Sequence, residues 1–491
     1  MTMGLLIGDV FRRAGAATPA RPAASLGNDV LTFAEVDARA NTIARGLRAR
    51  GVEHGHRVAW WGETTLDAVP LFAALAKLGA VFVPLNPHLS DEERAPVLAK
   101  ARPHLVLPPG DALLEPDPSI DATTDVVESA LGENDPHVIF FTSGSTGAPK
   151  GVVLSHRANF LRSFPGYLPG GRGATVCMFP LFHMASWSIG LGCWQAREEL
   201  ALVATPDAES LLATAARRRA RRIYLIPAVW HRVLSSDRRA HDLSSLAECD
   251  TGTSATPPEL IASIRRALPG TVTRIMYGST EAGPATTLAD HDLARKPGSV
   301  GLPCAGVDLR LGDDVDDGAG GRRMGAAGPG GRRIGEVCLR SDFLMSGYFE
   351  DEESTAAALV DGWYHTGDVG SLDDEGYLSI VGRLRDVIRT GGETVAPVEV
   401  EAVIAGHPAV AEVAVVGIPD PEWGEVVCAV VVPAMDATVD LAGVRAHCEG
   451  RLARHKHPRR LELAARLPRT SATGQVQRAL LVERIRSGIP F

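Results

Sequence analysis

The chain has 491 residues, 45% of them hydrophobic and 22% charged, with a formal net charge of −9. That length exceeds one typical core and predicts two or more domains, and the ordinary composition excludes a disordered or fibrous chain. The acidic balance argues against a nucleic-acid surface, no stretch approaches the roughly 20 apolar residues of a membrane span, and Asp9 comes too early for a signal peptide, so a cytoplasmic enzyme is expected.

Residues 31–95 alternate a helical pattern at 33–47 with short apolar strands at 58–61 and 80–84, the signature of an α/β layer fold. Residues 142–151 then read Thr142-Ser143-Gly144-Ser145-Thr146-Gly147-Ala-Pro-Lys150-Gly, between the apolar runs 138–141 and 152–154. Bare-backbone glycines let N–H groups converge on an anion, four hydroxyls add donors and Lys150 adds charge, so the composition points to phosphate. It is not a Walker loop, which runs into a helix with the spacing G-x-x-x-x-G-K-[ST]. The β-branched run that follows predicts a second strand, making the loop a hairpin tip. The α/β alternation resumes with strands expected at 224–226 and 272–276, and the arginine cluster at 217–222 reads as a solvated helix face. Residues 312–333, dense in Gly, Asp and Arg, read as a surface excursion. Seven cysteines scattered without a C-x-x-C pair read as reduced packing residues. A boundary is expected near residues 382–386, followed by a module with a helix at 398–404 and a strand at 410–416.

Further motifs follow the loop in order: Tyr277-Gly278-Ser-Thr280-Glu281, Gly335-Glu336, Trp363-Tyr-His-Thr-Gly-Asp368, and Gly382-Arg383-Leu-Arg385 through Gly391-Gly392-Glu393. Together they resemble the acyl-adenylate-forming superfamily of acyl-CoA synthetases, adenylation domains and luciferases, and the resemblance spans nearly the whole chain. It implies a large domain at 1–384, built of stacked α/β layers plus a β-subdomain, and a small mobile α+β domain at 385–491 turning about Arg385. By the same resemblance the 142–151 loop with Gly252, Thr253, Tyr277, Asp368 and Arg383 holds ATP or AMP. Thr280 and Glu281 take the phosphate and Mg2+, and Gly391, Gly392 and Glu393 meet coenzyme A. Phe182, His183, Trp187, Gly190, Tyr224, Pro227, Trp230 and Gly278 line the acyl pocket, with His183 as its gate and Gly190 leaving room. These walls are apolar and carry no Arg or Lys, so a hydrophobic, bulky monocarboxylic acid is expected.

The chain departs from the family at its C-terminal motif, Pro-x-Thr-x-x-Gly-Lys, where it reads Pro468-Arg-Thr470-Ser-Ala-Thr-Gly474-Gln475. The family lysine lies where substrate carboxylate and α-phosphate join, and an uncharged amide replaces it poorly. The expectation is an enzyme impaired in adenylation that passes a preformed acyl-adenylate to CoA, with another adenylating enzyme as partner. The alternatives are a complete ATP-dependent synthetase, an engineered lysine-to-glutamine variant of one, a non-catalytic acyl-adenylate binder, and a stand-alone domain loading a carrier protein. A second departure is Thr253, where the family commonly has glycine.

Overall fold

The computed structural model describes residues 4–115, 122–143, 149–163, 173–312, 315–316, 322–323, 333–470 and 474–489. The chain divides into two compact units, Met1–Asp308 with Leu339–Tyr364, and Leu309–Cys338 with His365–Phe491. Residues 365–384 thus group with the C-terminal segment, upstream of the hinge expected at Arg385.

The first unit holds two sheets. One has six strands in the order Gly347–Tyr348, Pro149–Ser155, Pro136–Ser143, Val81–Leu85, Arg57–Trp61 and Leu105–Leu107. The other has nine, with a parallel centre formed by Thr175–Cys177, Leu200–Leu202, Arg222–Tyr224, Glu248–Gly252 and Val272–Ser279. The helix expected at 33–47 is Phe33–Ala49, started by a capping box in which Thr32 and Glu35 satisfy each other's backbone N–H.

Helix Ala68–Leu78 is buried on every face, as its sequence, apolar all round, requires. Its one charge, Lys77, is satisfied by Asn41 Oδ1, Asp37 and Asp125 at 2.6–2.7 Å. Phe72 of this helix stacks on Trp187 with ring centroids 4.3 Å apart and meets Phe82 edge-on at 5.7 Å. Phe82 belongs to the six-stranded sheet, while helix Met184–Gln195, which carries Trp187, follows a strand of the nine-stranded one. This aromatic group therefore packs the two layers together.

Two histidines are sealed beneath the loop hairpin. His137 and His156 are both 0% exposed, with rings 4.5 Å apart. His156 Nδ1 accepts the N–H of Ile7, which ties the N-terminal helix Ile7–Ala17 to the sheet, and Asn159 bonds His137. Neither Nε2 has a partner among the described residues. Burial holds both rings neutral, pushing His137 well below the ordinary range and His156 down to about 4.

The second unit centres on strands Val410–Asp420 and Gly424–Pro433. Alternate residues of these strands pack on opposite faces: Val415, Val427, Ala429 and Val431 join Val400, Ile404 and Val444, while Ala414, Val416, Cys428 and Val430 join Leu481 and Ile485. Both faces are covered, so the strands read as nearly continuous apolar runs. From Asp368 onward, strand Trp363–Leu372 pairs antiparallel with Leu378–Arg383 in the same unit.

Phe72→Ala should lower the unfolding free energy of the first unit by about 3–5 kcal/mol in denaturant titration, because Phe11, Phe82, His137, Trp187 and Trp194 lose a ring contact. Lowering the pH from about 6.5 towards 4 should also destabilise this unit, since the unfolded chain takes protons that the neutral native histidines refuse. That stability is fully present above pH ~6.5 and lost on acidification, and His156→Gln should flatten the slope of unfolding free energy against pH across this window.

Candidate active site

The loop is a hairpin tip, as its flanks imply: Pro136–Ser143 and Pro149–Ser155 pair antiparallel, with Thr142 opposite Lys150. Gly144, Ser145, Thr146 and Gly147 lie outside the described residues, and Ser143 is described only by its backbone. Strand Gly347–Tyr348 pairs with the outer hairpin strand, Tyr348 opposite Val152, and Phe349 N–H donates to Gly151 O at 2.7 Å. Lys150 Nζ lies 4.9 Å from the centroid of the Tyr348 ring, an ammonium on an aromatic face.

The Tyr348 hydroxyl donates to Glu281 Oε1 at 3.2 Å, and Met345 N–H donates to Glu281 O at 2.8 Å. Thr280 and Glu281 form the tight turn between strands Val272–Ser279 and Gly283–Leu288. Gly278 permits that turn, because a Cβ there would stand 2.2 Å from Gly283 O. Lys150, Tyr348 and Glu281 therefore stand in one row, and the turn places Thr280 beside Glu281. A cation, a hydroxyl and a carboxylate so arranged suit a phosphate accompanied by a hard metal ion. Tyr348 escaped the sequence reading because its neighbour Gly347 marks a strand only once the hairpin is there to receive it.

The nine-stranded sheet supplies a second group of expected residues. A Cβ on Gly252 would stand 2.1 Å from Met276 O, so this strand end admits only glycine. Thr253 follows at φ +67, a left-handed conformation that strains a β-branched residue by roughly 1–3 kcal/mol. Tyr277 lies opposite Thr286, and Tyr224 packs edge-on to Phe179 at 5.4 Å. Phe182, half-buried, immediately precedes His183. His183 caps helix Met184–Gln195 by accepting the N–H of Ala185 at 3.2 Å, and burial lowers its pKa to about 4, leaving a neutral ring.

Other expected pocket residues are spent on packing. Trp187 is 2% exposed, stacked on Phe72, with its N–H on Leu181 O; Trp230 is fully buried with its N–H on Asp250 O. Pro227 begins the buried end of helix Pro227–Ser235. Gly190 leaves no room for a ligand, because a Cβ there would lie 2.9 Å from Trp194 and 3.0 Å from Leu200. The arginine cluster also needs correction at its end, since Arg222 lies in a buried strand rather than on a solvated helix. Its Nε bonds Asp250 at 2.5 Å, Arg274 Nε bonds the same carboxylate at 2.7 Å, and Arg274 also pairs with Glu248. Across three parallel strands two cations and two anions cancel beneath Gly252.

In the second unit, Asp368 and Arg383 face each other across two paired strands, Nε to Oδ1 at 3.0 Å. Arg385 approaches Asp386 at 3.6 Å. Gly391 and Gly392 form the two-residue turn between Ile388–Thr390 and Glu393–Val395, with φ +60 and +84, the left-handed pair that such a tight hairpin requires. A Cβ on Gly391 would lie 2.8 Å from Trp423, on which Arg459 stacks at 3.7 Å. Glu393 is exposed and opposes Thr390. Gln475 is also exposed; its N–H donates to Thr470 Oγ1 and its carbonyl accepts the Thr470 N–H, closing the turn that ends the C-terminal motif. Among the described residues one three-ligand group can be drawn, Glu336, Cys338 and His365, with atoms within 4.8 Å. His365 already bonds Glu336 at 2.8 Å, Gly367 N–H takes the other oxygen, and burial raises the Cys338 thiol to about 11, so the group reads as a hydrogen-bonded stitch.

Residues 11–349 match the AMP-binding enzyme family and residues 399–473 the AMP-binding enzyme C-terminal domain. The chain belongs to the AMP-binding enzyme family, within the acyl-adenylate-forming superfamily, and its full-length relatives place it among the acyl-CoA ligases, acid–thiol ligases that use ATP and CoA. It is 34% identical to a feruloyl-CoA synthase of Amycolatopsis sp, covering 94% of this chain and 95% of that one. It is 33% identical to an indoleacetate–CoA ligase of Aromatoleum aromaticum, covering 91% and 92%. The fold is similar to ATP-bound MatB from Rhodopseudomonas palustris, with a TM-score of 0.88 at 27% identity over 99% of this chain and 100% of that one. Among the described residues no helix is long and apolar enough to cross a membrane.

Tyr348→Phe keeps the ring under Lys150 but removes the donor to Glu281. Unfolding free energy should fall by about 1–2 kcal/mol in denaturant titration, as for a half-buried hydrogen bond to a charged group.

Proposed function

We propose that this acyl-CoA ligase is weak at forming acyl-adenylate from acid and ATP, and proficient at passing a preformed acyl-adenylate to CoA. The observation that carries the reading is Gln475 at the family's lysine position. Joining a carboxylate to an α-phosphate concentrates negative charge. A preorganised donor aimed at such charge is worth on the order of 3 kcal/mol, about 100-fold in rate.

Four of the chain's five lysines are engaged elsewhere. Lys77 is buried among Asn41, Asp37 and Asp125, and Lys456 is clamped by both oxygens of Glu399 at 2.6 and 2.7 Å. Lys100 pairs with Asp351 at 3.3 Å, and Lys150 sits over Tyr348. Thiol attack on an adenylate expels AMP and does not bring two anions together, so a glutamine at 475 leaves that step unharmed.

In this reading Thr280 and Lys150 bind phosphate oxygens, and Glu281, steadied by Tyr348, is the carboxylate that suits Mg2+. Bound there, Mg2+ would neutralise phosphate charge. Asp368 accepts the ribose hydroxyls, with Arg383 holding its carboxylate in place. The small domain turns about Arg385, and the Gly391–Gly392 turn lets CoA approach. The acyl group is apolar and monocarboxylic, since segments 178–187 and 224–230 carry no Arg or Lys. The aromatic acids in the names of the relatives support the same class. A separate adenylating enzyme is the partner that supplies the intermediate.

Gln475→Lys should raise acid-dependent pyrophosphate release by about 100-fold while leaving thioester formation from synthetic acyl-adenylate unchanged. No gain in pyrophosphate release across a panel of aromatic and aliphatic acids would place the defect elsewhere, or show that there is none.

A further inference from the structure

Arg162 is absent from every motif considered above. It is the last residue of helix His156–Arg162, is 2% exposed, and reaches the turn that carries Thr280 and Glu281. Its Nη1 donates to Thr280 O at 2.8 Å, and its Nη2 donates to Phe343 O at 2.6 Å and Glu281 O at 3.4 Å. Three carbonyls from two distant segments thus converge on one guanidinium. Gly283 makes the approach possible, because a Cβ there would stand 3.2 Å from Arg162 Cβ and 3.3 Å from Nε. Among the described residues no carboxylate bonds to Arg162, and its Nε has no partner.

A guanidinium so buried with only neutral acceptors is an expensive way to fasten a turn. Burial lowers its pKa to about 9 against the pull of the Glu281 carboxylate, which favours the cation. Hydrogen bonding alone could be supplied by a neutral amide. What a cation adds is a positive field behind the turn whose front presents the Glu281 carboxylate.

We infer that Arg162 is a positioning residue of the ligase reaction: it locks the Thr280–Glu281 turn through the two turn carbonyls and that of Phe343, and aims Glu281 at the metal–phosphate site. This rests on the reading of Thr280 and Glu281 given under the proposed function. Arg162 touches no reacting atom and acts only through the turn. The guanidinium fork is the needed chemistry, since a lysine ammonium has no planar set of donors to span the three carbonyls.

The test uses Arg162→Lys and Arg162→Met in the full chain, with two readouts. The first is ATP binding by calorimetry with Mg2+ and with EDTA: Arg162→Lys should lose about tenfold of the tightening that Mg2+ gives the parent, with AMP binding in EDTA unchanged. The second is amide hydrogen exchange, in which residues 279–283 and 343–346 should exchange about tenfold faster in Arg162→Lys while His137 and its strand keep their protection. Parent-like exchange at both segments would overturn the inference, as would equal loss of ATP and AMP binding with or without Mg2+. If Arg162→Met fails to fold, Arg162→Lys alone decides. If the parent shows no Mg2+-dependent ATP binding, the functional reading fails, and the exchange measurement still decides whether Arg162 locks the turn.

Discussion

Glu281 is the point on which the first unit's site depends. Its carbonyl accepts the N–H of Met345 and a guanidinium N–H of Arg162, and its carboxylate accepts the hydroxyl of Tyr348. Residues from about 150, 280 and 345 meet there, although each segment belongs to a different part of the chain. The hairpin carries Lys150, the short strand paired to it carries Tyr348, and the turn of the nine-stranded sheet carries Glu281. Remove the pairing of Gly347–Tyr348 with the hairpin and the row from ammonium to carboxylate disperses. In the same unit the aromatic packing around Phe72 joins the two sheets, and the neutral histidine pair is buried at the base of the hairpin.

Much of this was legible in the sequence where the signal is local. The Phe33–Ala49 helix declares its start by Thr32 and Glu35, the hairpin by two β-branched runs around a glycine-rich tip, and the Gly391–Gly392 turn by its two glycines. The order of motifs carried the family. What was not legible depends on contacts between distant residues. Trp187 and Trp230 resemble pocket walls in an apolar run, yet each spends its ring on the core and its N–H on a carbonyl. Gly190 looks like space, but Trp194 fills it. Arg222 looks solvated beside its neighbours, but strand alternation turns it inward onto Asp250. Arg162 and Tyr348 carry no motif at all; their parts follow from what the fold brings to Glu281.

On the proposed reading, Gln475 bears on one chemical step only. Its backbone N–H and carbonyl are both held by Thr470. Within the second unit Asp368 stays paired with Arg383, and within the first the Glu281 row stands by itself. The electrostatic help proposed to be missing belongs to the half-reaction that joins two anions, while the half-reaction that releases AMP does not need it.

The most direct test compares the two half-reactions in the unaltered protein under single-turnover conditions, one from a synthetic aromatic acyl-adenylate with CoA and the other from the same acid with ATP and Mg2+, followed by acyl-adenylate formation. The account predicts thioester formation from the adenylate at least about 100-fold faster than adenylate formation from ATP. Equal rates, or adenylation as fast as thioester formation, would contradict it.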